Sequence, residues 1–448
     1  MTARYRFFRS PGGGWVVFFP QRHMFVETDS EGVRQLRQWS GGELAADASP
    51  YLLALQKAGL LEVAGEADPG GHADEPYTPT GLTLLPTMDC NLRCVYCYAS
   101  GGERKAAMPV EVGRAAVNFV VANALARNSD LFHITLHGGG EPTLHWEFLT
   151  AIVAYARVLA GRLELKCHIA IGSNGNLPED RRRWLMENLD SATISIDGPQ
   201  DIHDAQRPCA DGRGSYGAVL ETIREFEAAG FRYQLRTTVT RRLLPRLQSF
   251  VESMAELAPH AQVLQFEPMF LRGRGTLHGS LAPTPREFEA AYIPVARWAE
   301  GRRYRASVSA CDITGAKERY CGIYGDSFIV TPDGNVTTCY ETSGPGDFHW
   351  DWFHIGRYAP ERRRFEIDAD RVRRLREMGR KDLAGCEDCF SRLTCAGDCP
   401  AKRIELREAG RPGERCGMIR NVTLATVREK LVSIRPMTQS EFETRFGL

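Results

Sequence analysis

The sequence predicts an α/β protein, because strand-like and helix-like stretches alternate through its middle half. Helical stretches such as residues 109–127 and 216–229 separate strand-like runs that are nearly all apolar, which is typical of a parallel sheet covered by helices. Six such units suit either a partial barrel or a doubly wound sheet, and in both folds ligands collect at the carboxyl ends of the strands. The strand-like runs are residues 82–87, 132–137, 166–172, 192–197, 233–240 and 263–268.

A small module is predicted before this core. "YRFFRS", "WVVFFP" and "HMFVET" are strand-like, and Asp29 or Ser30 can cap a helix that carries Val33, Leu36 and Trp39 on one face. A second helix starts at Pro50. The following "EADPGGHADEPYTPTG" is rich in Gly, Pro and acidic residues, which predicts a linker.

The regular alternation stops after about residue 305, and many of the cysteines, with many Gly and Asp, follow in 311–416. A segment this irregular needs something other than a hydrophobic core, and metal cross-links would serve. We therefore predict three domains, at 1–75, 76–305 and 306–448.

Composition limits the function classes. Hydrophobic residues make up 43% of the 448 residues, as in soluble globular proteins, and the formal net charge is zero, so no global field favours nucleic acid or an anionic membrane. No apolar run approaches the roughly 18–20 residues of a membrane span. The short apolar patch near the N-terminus is bracketed by Gly and Pro, a pattern that is not typical of a secretory signal. We expect a cytoplasmic protein with neither nucleic acid nor membrane as a partner.

Thirteen cysteines are many for this length, and most are clustered. In a reducing compartment, clustered cysteines indicate metal ligands rather than disulfides. The first cluster is "CNLRCVYCYA", with Cys90, Cys94 and Cys97 directly after the first strand of the core. Three thiolates fit an iron–sulfur cubane that keeps one iron free, whereas a zinc site would need a distant fourth ligand.

This loop, with Tyr96 before its last cysteine, resembles the signature of the radical S-adenosylmethionine superfamily. The resemblance implies a partial (β/α)6 TIM-type barrel and a [4Fe–4S] cluster whose open iron chelates S-adenosylmethionine. Reduction by a donor such as flavodoxin or ferredoxin then yields a 5′-deoxyadenosyl radical that abstracts hydrogen from a substrate.

Three further motifs follow successive strands in the order seen in that family. "LHGGGEPTL" resembles the turn that receives the methionine ammonium, although a Gly-rich turn alone is weak evidence, and "IGSNGN" and "TISIDGPQDIHDAQRP" end the next two strands. Alone, each of these could also be an ordinary turn. The contacts to S-adenosylmethionine that the resemblance implies are Tyr96, Gly139, Gly140, Glu141, Ser173, Asn174, Ser195, Asp197 and Arg207.

The C-terminal cysteines form a second array. Spacing alone also suits a zinc ribbon, but the array resembles the SPASM extension, which carries two auxiliary [4Fe–4S] clusters, so that three clusters are expected in all. Cys311 is spaced farther from Cys321 than expected. The resemblance assigns Cys311, Cys321, Cys339 and Cys399 to one cluster and Cys386, Cys389, Cys395 and Cys416 to the other.

Members of this subgroup include anaerobic sulfatase maturases and enzymes that modify ribosomally made peptides. Sulfatase maturases carry an Asp directly after the cysteine matching Cys339, where this chain has Tyr340. They also begin almost at the cysteine loop, whereas here a module precedes it that resembles a winged-helix peptide-recognition element. Such an element can add a leader peptide as an extra strand. The alternative for the module is a structural cap on the barrel.

We therefore predict a peptide maturase that acts on a precursor peptide with a leader, with hydrogen abstraction followed by oxidative cross-linking. The alternatives are a sulfatase maturase, a radical enzyme acting on a small molecule, and a non-catalytic winged-helix module with structural metal. The last has no need for a three-thiolate loop together with the Gly-Gly-Glu turn.

Overall fold

The computed structural model describes residues 5–445 except for 11–12, 62–74, 262, 301, 303, 318, 383–385, 387–388, 412 and 434–435.

Asp29 caps the first helix as predicted, accepting a hydrogen bond from the Gly32 amide at 2.8 Å. The predicted linker falls largely on residues outside the described ones. The N-terminal elements are β1 (Arg6–Arg9), β2 (Trp15–Phe19), β3 (Met24–Thr28), α1 (Ser30–Ser40) and α2 (Pro50–Lys57), with the strands in one antiparallel sheet of order β1-β2-β3.

The middle of the chain forms a parallel sheet in which each strand pairs with the next one along the chain. This confirms the α/β prediction and is consistent with a partial barrel. The elements are β4 (Gly81–Leu84), α3 (Val110–Ala126), β5 (Leu131–Leu136), α4 (Trp146–Arg162), β6 (Lys166–Ser173), α5 (Glu179–Asn188), β7 (Ser191–Ser195), α6 (Gln200–Gln206), α7 (Tyr216–Ala228), β8 (Tyr233–Val239), α8 (Leu247–Leu257), β9 (Val263–Pro268), α9 (Pro285–Ala299) and β10 (Arg305–Ser307).

The two faces of this sheet differ in character, because successive side chains of a strand point to opposite faces. Residues on one face are fully buried and belong to the main hydrophobic core: Ile134, Ile169, Ile194, Leu235 and Leu264. Their neighbours in sequence line a central cavity instead: Thr135, Ala170, Thr193, Gln234 and Gln265. The strands are therefore less uniformly apolar than the sequence suggested, and the inner face is polar.

The segment predicted to be irregular continues the same sheet. β11 pairs in parallel with β4, and β12, β13 and β14 follow as antiparallel neighbours, so that one sheet of 11 strands spans the predicted boundary at residue 305. Two of these strands are only three residues long, too short for an alternating pattern to be visible in the sequence. The elements are β11 (Phe328–Val330), β12 (Asn335–Thr337), α10 (Trp350–Phe353), β13 (His354–Ala359), β14 (Arg364–Ile367), α11 (Ala369–Asp382), α12 (Arg392–Cys395), α13 (Pro400–Glu408), α14 (Glu414–Ser433) and α15 (Gln439–Arg445).

The N-terminal sheet is covered on both faces. One face packs on α1 and α2, and the other packs Phe8, Val16 and Phe18 against Val427 and Leu431 of α14. The module is therefore joined to the rest of the protein by a shared apolar core, which is what a structural cap would show.

The edge of β3 is also occupied. The Glu27 amide donates to the Met437 carbonyl at 2.8 Å, and the Met437 amide donates to the Phe25 carbonyl at 3.2 Å. Phe442 of α15 is fully buried in the core of the module. The C-terminal segment thus forms part of the N-terminal module.

Within the described part of the chain, no helix is long and apolar enough to cross a membrane.

Candidate active site

The carboxyl ends of the central strands surround a cavity of about 410 Å³. Cys90, Cys94 and Cys97 lie on one side of it, and Tyr340, Glu341 and Lys402 from the C-terminal region lie on its wall as well. The position agrees with the expectation that ligands collect at this end of a parallel sheet. Of the predicted contacts to S-adenosylmethionine, eight line the cavity: Tyr96, Gly139, Gly140, Glu141, Ser173, Asn174, Ser195 and Arg207.

The cysteine loop is held by backbone hydrogen bonds to the end of α6 and to the loop that follows it. The Arg93 amide donates to the Pro208 carbonyl at 2.7 Å, and the Val95 amide donates to the Gln206 carbonyl at 2.9 Å. From the other side, Arg274 donates to the Cys94 carbonyl at 2.9 Å and to the Gly101 carbonyl at 3.1 Å. The loop is therefore fixed on both sides by groups distant in sequence.

The donor chemistry of this loop fits an iron–sulfur cluster. The Gly101 amide donates to Cys97 Sγ at 3.3 Å, and Cys90 Sγ accepts from the Leu92 amide at 3.5 Å and from Asn174 Nδ2 at 3.8 Å. Amide donors aimed at sulfur favour thiolates. Burial raises the pKa of Cys90 to about 11 and that of Cys94 to about 12, so a bound cation is needed to keep them ionised near neutral pH.

The same three thiols do not suit a single zinc ion. Among the described residues, no group of three or more His, Cys, Asp or Glu side chains converges on one metal ion. A cubane carries its thiolates on separate iron atoms, so its ligands need not converge on a point. The residues present therefore fit a cluster.

The Gly-rich turn after β5 lies against the start of the cysteine loop. A Cβ on Gly140 would lie 1.9 Å from the Asp89 carbonyl oxygen, and one on Gly139 would lie 2.2 Å from Met88 Sδ. Only glycine permits this approach. The turn is thus packed directly on the Asp89 backbone and the Met88 side chain.

Glu141 connects this turn to the end of β6. Its Oε1 accepts hydrogen bonds from the Thr143 hydroxyl at 2.8 Å and from the Ser173 hydroxyl at 3.0 Å, and its Oε2 accepts from the Asn174 amide at 2.8 Å. Burial raises the pKa of this carboxyl, and these donors oppose the effect. Glu141 therefore joins two of the predicted motifs directly.

Three other predicted residues form one network. Arg207 donates to the Tyr96 hydroxyl at 2.7 Å, and Tyr96 donates to the Asp197 carboxylate. Asp197 also accepts from the Thr238 amide at 2.9 Å and is fully buried behind the cavity wall. The structure thus brings Tyr96, Asp197 and Arg207 together, with Asp197 supporting the other two.

The C-terminal cysteines fall into two groups. Cys321, Cys339 and Cys399 line a second cavity, of about 340 Å³, which shares Arg236, Glu267 and Tyr340 with the first. The other group is Cys386, Cys389, Cys395 and Cys416. Besides burial, the charges of Cys389 and Cys416 raise the pKa of Cys386, and the charge of Cys416 raises the pKa of Cys395.

Cys311 lies apart from the cavity with which it was grouped. Its side chain is buried in the core and donates to the Ile419 carbonyl at 3.7 Å. Its charge contributes to the raised pKa of Cys395, whereas the cysteines that contribute to the raised pKa of Cys339 are Cys399 and Cys321. Three thiols of the predicted four therefore face the second cavity.

Several charged residues of the cavity were missed from the sequence. Arg236 and Glu267 lie within predicted strands, and Glu267 Oε1 accepts from the Ser309 amide at 3.1 Å while its Oε2 lies 3.8 Å from Lys402 Nζ. Because charged residues are rare inside buried strands, the presence of Arg236 and Glu267 there could have identified them as functional residues.

Comparison with known proteins agrees with this geometry. The family model described as "Radical SAM superfamily" matches residues 84–247. The chain is 25% identical over 346 residues to the cysteine-type anaerobic sulfatase-maturating enzyme of Clostridium perfringens, covering 72% of this chain and 89% of that protein. It is 26% identical over 197 residues to the sporulation killing factor maturation protein SkfB of Bacillus subtilis, covering 44% of this chain and 42% of that protein.

Two solved structures share the fold. Native anSMEcpe with bound AdoMet has a TM-score of 0.61 at 18% identity, covering 79% of this chain and 98% of that chain. Streptococcus suis SuiB bound to S-adenosylmethionine has a TM-score of 0.53 at 12% identity, covering 90% of this chain and 96% of that chain, and SuiB has also been solved with its precursor peptide SuiA. Together with the cysteine loop and the parallel sheet around it, these matches show that residues 84–247 carry a radical SAM domain and that the chain is similar to radical SAM maturases of the SPASM type.

Proposed function

We propose that the chain is a radical S-adenosylmethionine enzyme that modifies a ribosomally made precursor peptide by hydrogen abstraction and oxidative cross-linking of side chains. One observation carries the proposal: the cavity lined by Cys90, Cys94 and Cys97 is also lined by Tyr340 and Lys402. A substrate side chain in this cavity would lie between the two cysteine regions.

The same arrangement supports the assignment of the cofactors. We assign a [4Fe–4S] cluster to the first cysteine loop and two auxiliary clusters to the C-terminal array, with flavodoxin or ferredoxin as the electron donor. With S-adenosylmethionine bound, the first cluster supplies the radical chemistry. The chain's own residues orient the reactants: Tyr96, Asp197 and Arg207 fix the cysteine loop, and Glu141 fixes the turn beside it.

Peptide substrates are supported by the relatives. SkfB is a maturation protein, and SuiB binds a precursor peptide. We propose that residues 1–75 recognise the leader. Addition of a strand at the β3 edge would require the segment around Met437 to move, because its backbone already pairs there.

A sulfatase-maturating activity is the second candidate, favoured by the relative that covers 72% of the chain. One residue argues against this activity: sulfatase maturases carry an Asp directly after the cysteine that matches Cys339, and this chain has Tyr340 there. Burial raises the pKa of Tyr340 above its ordinary value, so its hydroxyl stays protonated and cannot accept a proton near neutral pH.

The test is an anaerobic reaction of reconstituted enzyme with dithionite and S-adenosylmethionine. One sample contains the peptide encoded by a short reading frame next to the gene, and the other contains a sulfatase peptide with Cys or Ser at its modification site. We expect the precursor to lose two hydrogen atoms per bond formed and the sulfatase peptide to remain unchanged. Formylglycine in the sulfatase peptide, with an unchanged precursor, would contradict the proposal.

A further inference from the structure

Arg236 differs from the other cations that line the central cavity. Arg272 pairs with Glu341 and Glu405, and Arg274 pairs with Glu103. Lys402 lies 3.8 Å from Glu267, and Arg207 lies 3.7 Å from Asp197. Among the described residues, no carboxylate lies within ion-pair distance of the Arg236 guanidinium, and no hydrogen-bond acceptor contacts it.

The position of Arg236 is well fixed. It lies in β8 between Ser195 of β7 and Gln265 of β9, and its carbonyl accepts from the Ile196 amide at 3.0 Å. Gln234 and Thr238, two residues away on either side, line the cavity too, so Arg236 belongs to the inward row of the strand.

Aromatic side chains form part of the cavity wall near the Arg236 guanidinium. The His137 and Tyr340 rings lie 4.7 Å apart between centroids. Burial, with the charge of Arg236, lowers the pKa of His137 to about 4. This ring is therefore neutral at pH 7 and does not match the charge of Arg236.

We propose that Arg236 forms a binding subsite for a carboxylate of the substrate. A guanidinium presents two parallel donors that match a carboxylate, and the enclosed cavity makes such a pair stronger than it would be in water. Glu267 and Glu341 attract Arg236 from a distance, but their own partners are Lys402 and Arg272. The inference rests on the proposed function, under which the carboxylate is an Asp or Glu side chain or the C-terminus of the peptide.

A role limited to charge balance is the alternative. In that case Arg236 would offset Glu267 and the nearby thiolates without touching the substrate. The two roles differ in whether a carboxylate probe binds in the absence of turnover.

The test is saturation-transfer NMR on the full, reconstituted enzyme with S-adenosylmethionine and no reductant. The probes are acetyl-glutamate amide, which has a side-chain carboxylate, acetyl-glutamine with a free α-carboxylate, and acetyl-glutamine amide, which has neither. The variants are Arg236→Gln, Arg236→Lys and the matched control Arg232→Gln, which alters an exposed arginine one residue before the same strand.

We expect one carboxylate probe to bind the wild type and the Arg232→Gln control about tenfold more tightly than the Arg236→Gln variant, as loss of a charge-assisted pair implies. Arg236→Lys should bind with intermediate affinity. The probe that responds identifies the source of the carboxylate. Equal binding of all three probes, or equal binding by wild type and Arg236→Gln, would overturn the subsite.

A separate measurement checks that each variant is folded: binding of S-adenosylmethionine should be unchanged. Because no turnover is needed, failure of the subsite and failure of the proposed function give different results. Carboxylate binding at Arg236 without any peptide modification would leave the subsite intact and contradict the peptide-maturase proposal.

Discussion

Arg207 donates a hydrogen bond to the hydroxyl oxygen of Tyr96 at 2.7 Å, and this contact joins the cysteine loop to the residue that follows α6. Tyr96 lies between Cys94 and Cys97, and its hydroxyl also donates to Asp197 at the end of β7. The position of the thiols therefore depends on a buried network as well as on the loop's own backbone.

The Tyr96→Phe substitution tests this dependence. It removes one hydroxyl and leaves Asp197 and Arg207 each with one partner fewer, so we expect the free energy of unfolding to fall by about 1–3 kcal/mol. Iron retained after desalting should fall as well. Anaerobic denaturant unfolding and iron analysis measure the two effects.

The matched control is Tyr155→Phe, whose hydroxyl donates to Asn118 at 2.7 Å on an exposed helix surface. We expect this control to change stability by about 0.5 kcal/mol or less. Equal losses for the two variants would show that the buried network has no special role.

Arg274 gives a second prediction. Its guanidinium donates to the carbonyls of Cys94 and Gly101 and is mostly buried, so Arg274→Gln should cost about 1–3 kcal/mol and should lower the iron content of the first cluster selectively. The measurement is electron paramagnetic resonance of the reduced protein, with and without S-adenosylmethionine.

Arg241→Gln is the control for Arg274, because Arg241 forms an exposed ion pair with Glu287 at 3.1 Å. Exposed pairs contribute about 0–1 kcal/mol. If Arg274→Gln kept its full cluster signal, as Arg241→Gln should, the arginine would not be needed to hold the loop.

The β3 edge gives a third prediction. Met437→Pro removes the amide that donates to the Phe25 carbonyl but keeps Phe442 in the module core. If the leader peptide binds at this edge, loss of one competing backbone bond of about 1 kcal/mol should raise its affinity by at most about fivefold. Fluorescence anisotropy with a labelled leader peptide measures this.

Unchanged leader affinity in Met437→Pro, with the module still folded by circular dichroism, would mean that the leader does not use this edge. Phe442→Ala serves as the comparison, because emptying a fully buried site should cost about 3–5 kcal/mol and should unfold the module.

Local patterns in the sequence were enough to predict β4 to β9, whereas the three-residue strand β10 was not predicted. Each of the six strand-like runs corresponds to a strand within a few residues, since alternation with helices extends over long, regular stretches. The short strands β11 and β12 could not be predicted, because three residues show no period and they are stabilised by pairing at the edge of β4.

In the candidate active site, too, the local motifs could be predicted from the sequence and the long-range contacts could not. The cysteine loop and the turn at Glu141 are local motifs, and the sequence indicated both. The contacts that hold them are not local: Tyr96 and Asp197 are 101 residues apart, and Arg274 and Cys94 are 180 residues apart. Arg236 and Glu267, which do not pair with each other, were not predicted, because each lies in a strand next to a buried apolar residue, Leu235 or Phe266.

The central claim is that Cys90, Cys94 and Cys97 hold the cluster that cleaves S-adenosylmethionine, separately from the C-terminal cysteines. The most direct measurement is 5′-deoxyadenosine formation with dithionite, together with iron content, in the variant with all three cysteines changed to Ala. We expect the wild type to contain about twelve iron atoms, in three cubanes, and the variant to keep about eight and to form no 5′-deoxyadenosine. Continued 5′-deoxyadenosine formation by the triple variant would contradict the account.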